Sequence, residues 1–356
     1  MEVLKGRLRV RNMLFRELMA ETLATFVLMM FGCAAMAQVK LSRGTKGEYL
    51  SVNMAFSVGV MSAMYLARGV SGAHLNPAVS LSCCVLGRLP WSKLLPYCLS
   101  QVLGAYIAAA VVFLMYYDAI MDYSGGVLTV YGPNETASIF ATYPSDYLSL
   151  GGSFFDQMVG TGMIMLCFLP LDDWRNKPAS ADLVPPLTAV VLMGISQSMS
   201  SNCGGGINPA RDLGPRLLTL TAGWGTEVFT CYNYWFWVPI VAPMVGAVLG
   251  SGLYLVFVQW HLPDSEINET NDLQFKTMDI KTVKKLEIIK NNNAVEMAHK
   301  AQLLHRESRL GAHLNHAVSL SLCFLGRHPW TRLPFYVFFQ ILGAFMAAAT
   351  VGLHYY

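Results

Sequence analysis

The chain has 356 residues, of which 54% are hydrophobic and only 13% charged. So apolar a composition excludes an ordinary soluble domain of this length and points to an all-α membrane protein. The formal net charge of +3 comes with no basic stripe, so no nucleic-acid partner is implied.

Residues 1–13 carry Lys5, Arg7, Arg9 and Arg11, and Arg16 follows just before the first uncharged run at 22–39. The positive-inside rule therefore places the N-terminus in the cytoplasm. That run is too long for a signal-peptide core and has no small-residue cleavage pattern behind it, so it reads as a retained span. Further uncharged runs cover 50–67, 94–117, 157–171, 183–210 and 228–260. Since a bilayer core needs about 20 apolar residues, six transmembrane helices are expected. The run at 157–171 is short, so its helix is expected to begin near Ser153 and to carry Asp156 at the membrane edge. The loop 118–155 holds no Lys or Arg and belongs outside, whereas Arg88, Lys93, Arg175 and Lys177 fall on inner connections. Lys40, Arg43 and Lys46 are exceptions, on a loop that must be outside.

Most of the eight cysteines fall inside apolar runs without the spacing of a zinc site or a disulfide framework, and inert buried thiols are expected. Cys203 and Cys231 could face the oxidising side together, but a bridge is the less favoured reading. No nucleophile elbow, metal-ligand cluster or phosphate loop is present, so neither an enzyme nor a cofactor is implied.

The segment Gly72-Ala73-His74-Leu75-Asn76-Pro77-Ala78 lies between the second and third spans, and Gly204-Gly205-Gly206-Ile207-Asn208-Pro209-Ala210 between the fifth and sixth. Each half also opens alike, with Glu21 and Thr25 in one and Gln157 and Thr161 in the other. Three spans per half invert the second copy relative to the first, a plan that puts a permeation site near the bilayer midplane. Asn is a good N-cap and Pro suits the first helical turn, so two re-entrant half-helices are predicted, entering from opposite sides. Their facing N-termini would place partial positive charge at the pore centre and repel cations and hydronium. Asn76 and Asn208 are expected to offer side-chain hydrogens to a passing oxygen. The backbone of 72–75 and 204–207, opened by its glycines, would line the channel with carbonyls. Gly104, Ala108, Gly246 and Gly250 suit close helix packing, within a subunit or between subunits.

Beyond this 14–260 channel region, residues 261–310 read as a charged cytoplasmic tail, with 16 charged residues among the 46 of 264–309. Residues 311–356 then copy 72–117 without a gap, matching at 29 of 46 positions, with His316 where Pro77 stood. This partial third repeat, explained most simply by fusion with a neighbouring gene copy or by a mistaken gene model, cannot build a second pore alone. Its uncharged run at 333–356 motivates a rival reading in which the chain is a non-conducting or auto-blocked channel homologue acting as a membrane scaffold.

The paired Asn-Pro-Ala turns resemble those of the aquaporin family, over about residues 14–260. Arg211-Asp212 and the pair Pro239-Ile240 are similar to the aquaglyceroporin branch, and the stretch 198–204 narrows the likeness further within it. The resemblance implies six tilted helices plus two half-helices, a homotetramer with one pore per subunit, and passive passage of water, glycerol and urea. It further implies an outer selectivity ring of Phe56, Ser196, Gly205 and Arg211. Arg211 would supply donors and exclude cations, and Phe56 an apolar wall. Serine at 196 and glycine at 205 depart from that branch, where glycine and a larger side chain are usual, and a wide filter is expected. An intramembrane arginine is functional by default, although pairing with Asp212 would make Arg211 structural. His74 either anchors the loop before Asn76 or gates it with pH, and anchoring is favoured. Asn134-Glu135-Thr136 fits a glycosylation acceptor on an outer loop, and Asn268-Glu269-Thr270 matches as well but falls in the tail. A plasma-membrane location is expected.

Overall fold

The computed structural model describes residues 9–263 and 313–355. Most of the charged tail, with the second sequon at Asn268, lies outside the described residues. The chain divides into two compact units, Met1–His261 and Leu262–Tyr356, which are taken separately.

The first unit is all-helical. It contains α1 (Met13–Leu41), α2 (Tyr49–Ser71), α3 (Pro77–Val85), α4 (Leu94–Met115), α5 (Tyr117–Ser124), α6 (Leu150–Asp172), α7 (Val184–Met199), α8 (Pro209–Thr219), α9 (Glu227–Tyr234) and α10 (Val238–Phe257). Local chemistry sets several of the ends. The Asn12 side chain caps α1 by accepting from Phe15 N at 3.1 Å, and Ser149 caps α6 by accepting from Gly152 N at 3.0 Å. Gly72 closes α2 in the left-handed region at φ 89°, which its missing Cβ allows.

Six helices among the described residues are long and apolar enough to cross a membrane, but they are not the expected six. Five lie in the first unit, and the last, Trp330–His354, belongs to the third repeat. The expected fifth span, α7, has only 16 residues, about 24 Å at 1.5 Å per residue. The uncharged run 183–210 is thus not one helix, because its second half leaves the helical path before α8 begins. The run 228–260 is broken as well, where Tyr232, Asn233 and Tyr234 take left-handed φ of 50°, 55° and 62° before α10 starts. At the fourth span the helix begins at Leu150, one turn before Ser153, and Asp156 is buried within the protein. It accepts from Asn202 Nδ2 at 2.9 Å and Gln157 Nε2 at 3.0 Å.

The inverted repeat is visible in the packing. A Cβ on Gly104 of α4 would fall 2.2 Å from the carbonyl oxygen of Thr22 on α1, and one on Gly246 of α10 would fall 2.1 Å from that of Met158 on α6. Thr22 follows Glu21 and Met158 follows Gln157, so the same joint occurs at matching places in both halves. Gly250 repeats the contact one turn on, 2.1 Å from Gly162 O. These glycines let backbones touch within the chain, which accounts for them without a second subunit. The misplaced outer cations also find partners: Lys40 binds Glu135 and donates to Ser138 Oγ at 2.8 Å, while Arg43 lies 5.2 Å over the Tyr123 ring. Cys203 and Cys231 are free thiols.

The second unit repeats the α3–α4 hairpin as α11 (His316–Phe324) and α12 (Leu333–Tyr355). Asn315 caps Ala317 N at 2.8 Å as Asn76 caps Ala78 N at 2.8 Å. His313 meets Ser319 at 3.0 Å as His74 meets Ser80 at 3.1 Å. Yet a Cβ on Gly343, the counterpart of Gly104, would meet open space.

The glycine joints predict a contrast. Gly246→Ala forces two backbones apart, so it should cost about 1–3 kcal/mol by overpacking. Gly252→Ala, six residues on and facing open space, should leave the melting temperature of the detergent-solubilised protein unchanged or slightly raised.

Candidate functional site: an amphipathic channel

One cavity of about 500 Å³ runs through the first unit. It is lined by Asn76 and Asn208, by Phe56, Ser196, Gly205 and Arg211 toward one end, and by Arg68 and Asp172, an ion pair, toward the other. Every residue expected at the pore centre or ring therefore faces this cavity, apart from the prolines and alanines of the two turns. Pro77, Ala78, Pro209 and Ala210 are buried behind it as the first residues of α3 and α8.

Each Asn does more than its cap. Asn76 Oδ1 accepts from Ala78 N, while its Nδ2 donates to Ile207 O at 3.1 Å, across to the other half. Asn208 Oδ1 accepts from Ala210 N at 3.0 Å and Arg211 N at 3.3 Å, and its Nδ2 donates to Leu75 O at 2.8 Å. These bonds bear on which side-chain hydrogens the two residues can offer to a passing oxygen. One hydrogen of each Nδ2 braces the opposite loop, and one remains for a passing oxygen.

The loop before Asn76 is held by Glu21, fully buried on α1. Its carboxylate accepts from Ser71 Oγ at 2.6 Å, His74 N at 2.9 Å, Leu75 N at 2.9 Å and Gln101 Nε2 at 2.8 Å. These bonds satisfy the loop's N–H groups where Ala73 and Leu75 stand at left-handed φ of 53° and 57°, a region that costs non-glycine residues about 1–3 kcal/mol each. The strained turn leaves Leu75 O facing Asn208. His74 is pinned as well, through Ser80 on one side and the Tyr97 ring at 5.3 Å on the other. Opposite, Gly204 and Gly205 supply left-handed φ of 70° and 67° without strain. Gly206 has no room for a Cβ, which would lie 2.8 Å from Thr142 Oγ1, 3.0 Å from Gln157 Oε1 and 3.2 Å from Pro239 Cβ. Pro239 thus backs the loop from outside the cavity lining, and Ile240 beside it is half-buried.

Arg211 is buried, its Nη1 donating to Phe140 O at 2.8 Å and its guanidinium 5.0 Å over the Phe56 ring. It does not pair with Asp212. That carboxylate is taken by Arg216, at 2.7 and 3.0 Å, and by Thr142 N and Oγ1 at 2.8 and 2.5 Å. Arg216 also donates to Val228 O at 2.6 Å and Thr142 O at 2.5 Å and lies 4.7 Å over the Tyr143 ring. Burial pushes the Tyr143 phenol well above its ordinary range, so it stays neutral beside the cation. The result ties the loop carrying Phe140 to α8, and Phe140 positions Arg211. Sequence reasoning missed Arg216 in this role, although an acid and a base at i and i+4 on α8 was a usable signal. It also missed Gly32, where a Cβ would lie 2.1 Å from the Phe56 ring, so that only glycine makes room for that side chain. Asn134 is exposed on the loop beside Glu135.

A helical unit in which two capped half-helices meet at a mainly apolar cavity carrying a few polar groups defines an aquaporin-type membrane channel. The chain matches the Major intrinsic protein family over residues 9–254 and again over 269–356, and it belongs to that family, one of channels rather than enzymes. It is 46% identical over 259 residues to Aquaporin-10 of Homo sapiens, covering 73% of this chain and 86% of the relative. To Aquaporin-9 of Homo sapiens it is 45% identical over 262 residues, covering 74% and 89%. The X-ray structure of the aquaglyceroporin from Plasmodium falciparum superimposes with a TM-score of 0.63 at 29% identity, over 69% of this chain and 98% of that one. The chain is therefore of the aquaglyceroporin branch.

Replacing Glu21 tests the loop anchor. Glu21→Gln keeps the shape but turns one acceptor oxygen into a donor facing buried donors, which should cost about 3 kcal/mol or more. Thermal unfolding should show the loss, and glycerol flux should fall with it because Leu75 and Asn76 lose their support.

Proposed function

We propose that the chain conducts water, glycerol and urea passively across the membrane while excluding protons and ions. The observation that carries this is the continuous cavity on which Asn76, Asn208, Arg211 and Phe56 all open. A polyol needs hydrogen-bond partners along one side and tolerates an apolar wall on the other. The free hydrogens of the two Asn side chains and the Arg211 fork are the partners, and Phe56 is the wall. Ser196 and Gly205 are small, so the ring formed with Phe56 and Arg211 is wide enough for a three-carbon alcohol. Charge exclusion falls to Arg211 and to the two half-helix N-termini, whose unsatisfied N–H groups act as roughly half a positive charge each.

By likeness to its family the protein works as a homotetramer in the plasma membrane with its N-terminus in the cytoplasm, and Asn134 is a glycan acceptor on the outer side. His74 serves chiefly as a loop anchor, a role its bonds to Ser80 and Glu21 support. A His74→Ala channel should keep the pH dependence of glycerol flux shown by the parent, and loss of that dependence would make it the gate instead.

Proteoliposome swelling provides the main test. The full chain should pass water, glycerol and urea and carry no ionic current. Arg211→Ala should admit small cations while retaining glycerol flux. A chain ending at Trp260 should conduct as the full chain does. Flux that appeared only after this truncation would favour the auto-blocked scaffold, and water flux without glycerol flux would overturn the wide filter.

A further inference from the structure

Arg9, Arg11 and Arg16, at the start of α1, are all exposed and, with Val10, line an open recess of about 350 Å³. Among the described residues none of the three has a carboxylate partner. The acid next to them, Glu17, is buried and already bound by Lys93 at 2.8 and 2.9 Å and by Tyr97 at 3.1 Å. Their charge is therefore uncompensated by any described residue. Directly along the helix, Phe15, Met19 and Leu23 are 54%, 52% and 52% exposed. Spaced every four residues, they form one apolar ridge on α1 leading away from the arginines. Orienting a first span needs only positive charge near its end. It does not need three guanidinium groups around one cavity with the neighbouring acid withdrawn.

We propose that this is a binding site for an anionic phospholipid of the surrounding bilayer. The guanidinium forks suit the phosphate oxygens, which they can take bidentately, and the acyl chains lie along the Phe15–Met19–Leu23 ridge. The site rests on α1 being a membrane span and is independent of what the pore conducts, so its failure would leave the channel reading untouched. Phosphatidic acid is the simplest probe, since its phosphate sits directly on the diacylglycerol. Near a membrane surface each arginine contributes about fivefold in affinity, and three together about a hundredfold.

The test titrates the full chain, solubilised in neutral detergent, with phosphatidic acid, phosphatidylcholine or glycerol 3-phosphate. Bound lipid is counted by native mass spectrometry and stabilisation is followed by thermal shift. Phosphatidic acid should stay bound and raise the melting temperature, the other two should do neither, and the R9Q/R11Q/R16Q chain should lose about a hundredfold in phosphatidic acid affinity with glycerol flux intact. Should that chain fail to insert, the parent at about 0.5 M salt decides, because screening at that strength should release the lipid from an exposed site. Equal retention of phosphatidylcholine, insensitivity to both the substitutions and salt, or the same stabilisation by glycerol 3-phosphate would each overturn the lipid site.

Discussion

The structure hangs on two crossed hydrogen bonds, from Asn76 Nδ2 to Ile207 O and from Asn208 Nδ2 to Leu75 O. Each amide caps its own half-helix with its oxygen and reaches into the opposite half with its nitrogen. Two short helices, of 9 and 11 residues, could not hold their ends together at the middle of a membrane on intrinsic stability, since isolated helices under about 12 residues are marginal even in water. The brace supplies what length cannot. It also fixes which amide hydrogen is left over, and so where a permeating oxygen finds its donor.

The brace requires that Leu75 O and Ile207 O point at it, and the two halves solve that problem differently. In the first half the Glu21 carboxylate gathers four donors, two of them N–H groups of a loop whose Ala73 and Leu75 stand in the left-handed region. In the second, glycines take the unusual angles, and the residue at the matching place, Gln157, is neutral. The acid there, Asp156, lies one position away and serves Gln157 and Asn202 instead. One consequence is electrostatic. The half that carries the buried Arg211 has its nearest acid, Asp212, neutralised by Arg216, so the guanidinium facing the cavity keeps its full positive field. A low-dielectric surround makes that field stronger than it would be in water.

How much of this was legible follows from what each feature depends on. The paired turns were readable because capping and proline placement are local, settled within four residues of sequence. The ends of α7 and α10 were not, because an uncharged run records only that a segment avoids water. It does not record whether the backbone inside it stays helical, as 228–260 shows, nor at which residue before 204 the helix α7 stops. The cavity-facing positions at 56 and 196 were reachable through family likeness alone, since a Phe or Ser on an apolar helix carries no mark of the face it turns. Gly32 belongs with these, as a glycine whose meaning lies in a ring 24 positions away. Arg216 is the contrary case, for its pairing with Asp212 stands at helical spacing. Attention went to the pair Arg211-Asp212, whose adjacent side chains leave the helix in different directions.

The third repeat separates local from non-local requirements within a single chain. Its hairpin keeps the Asn315 cap, the His313–Ser319 contact and even the left-handed Leu314 at φ 53°, so these features are set by the hairpin's own sequence. Among the described residues it has no counterpart of Glu21, and where Gly104 meets the Thr22 carbonyl none of them stands against its counterpart Gly343. His316 in place of Pro77 is tolerated for the same reason: at the first helical position an N–H costs nothing when it is exposed, whereas in a packed pore turn it would need an acceptor. A half-helix can thus be specified by some nine residues, but a pore centre cannot. It needs an inverted partner to supply the carbonyl for each Asn, and that partner comes from duplicating three spans, not one hairpin.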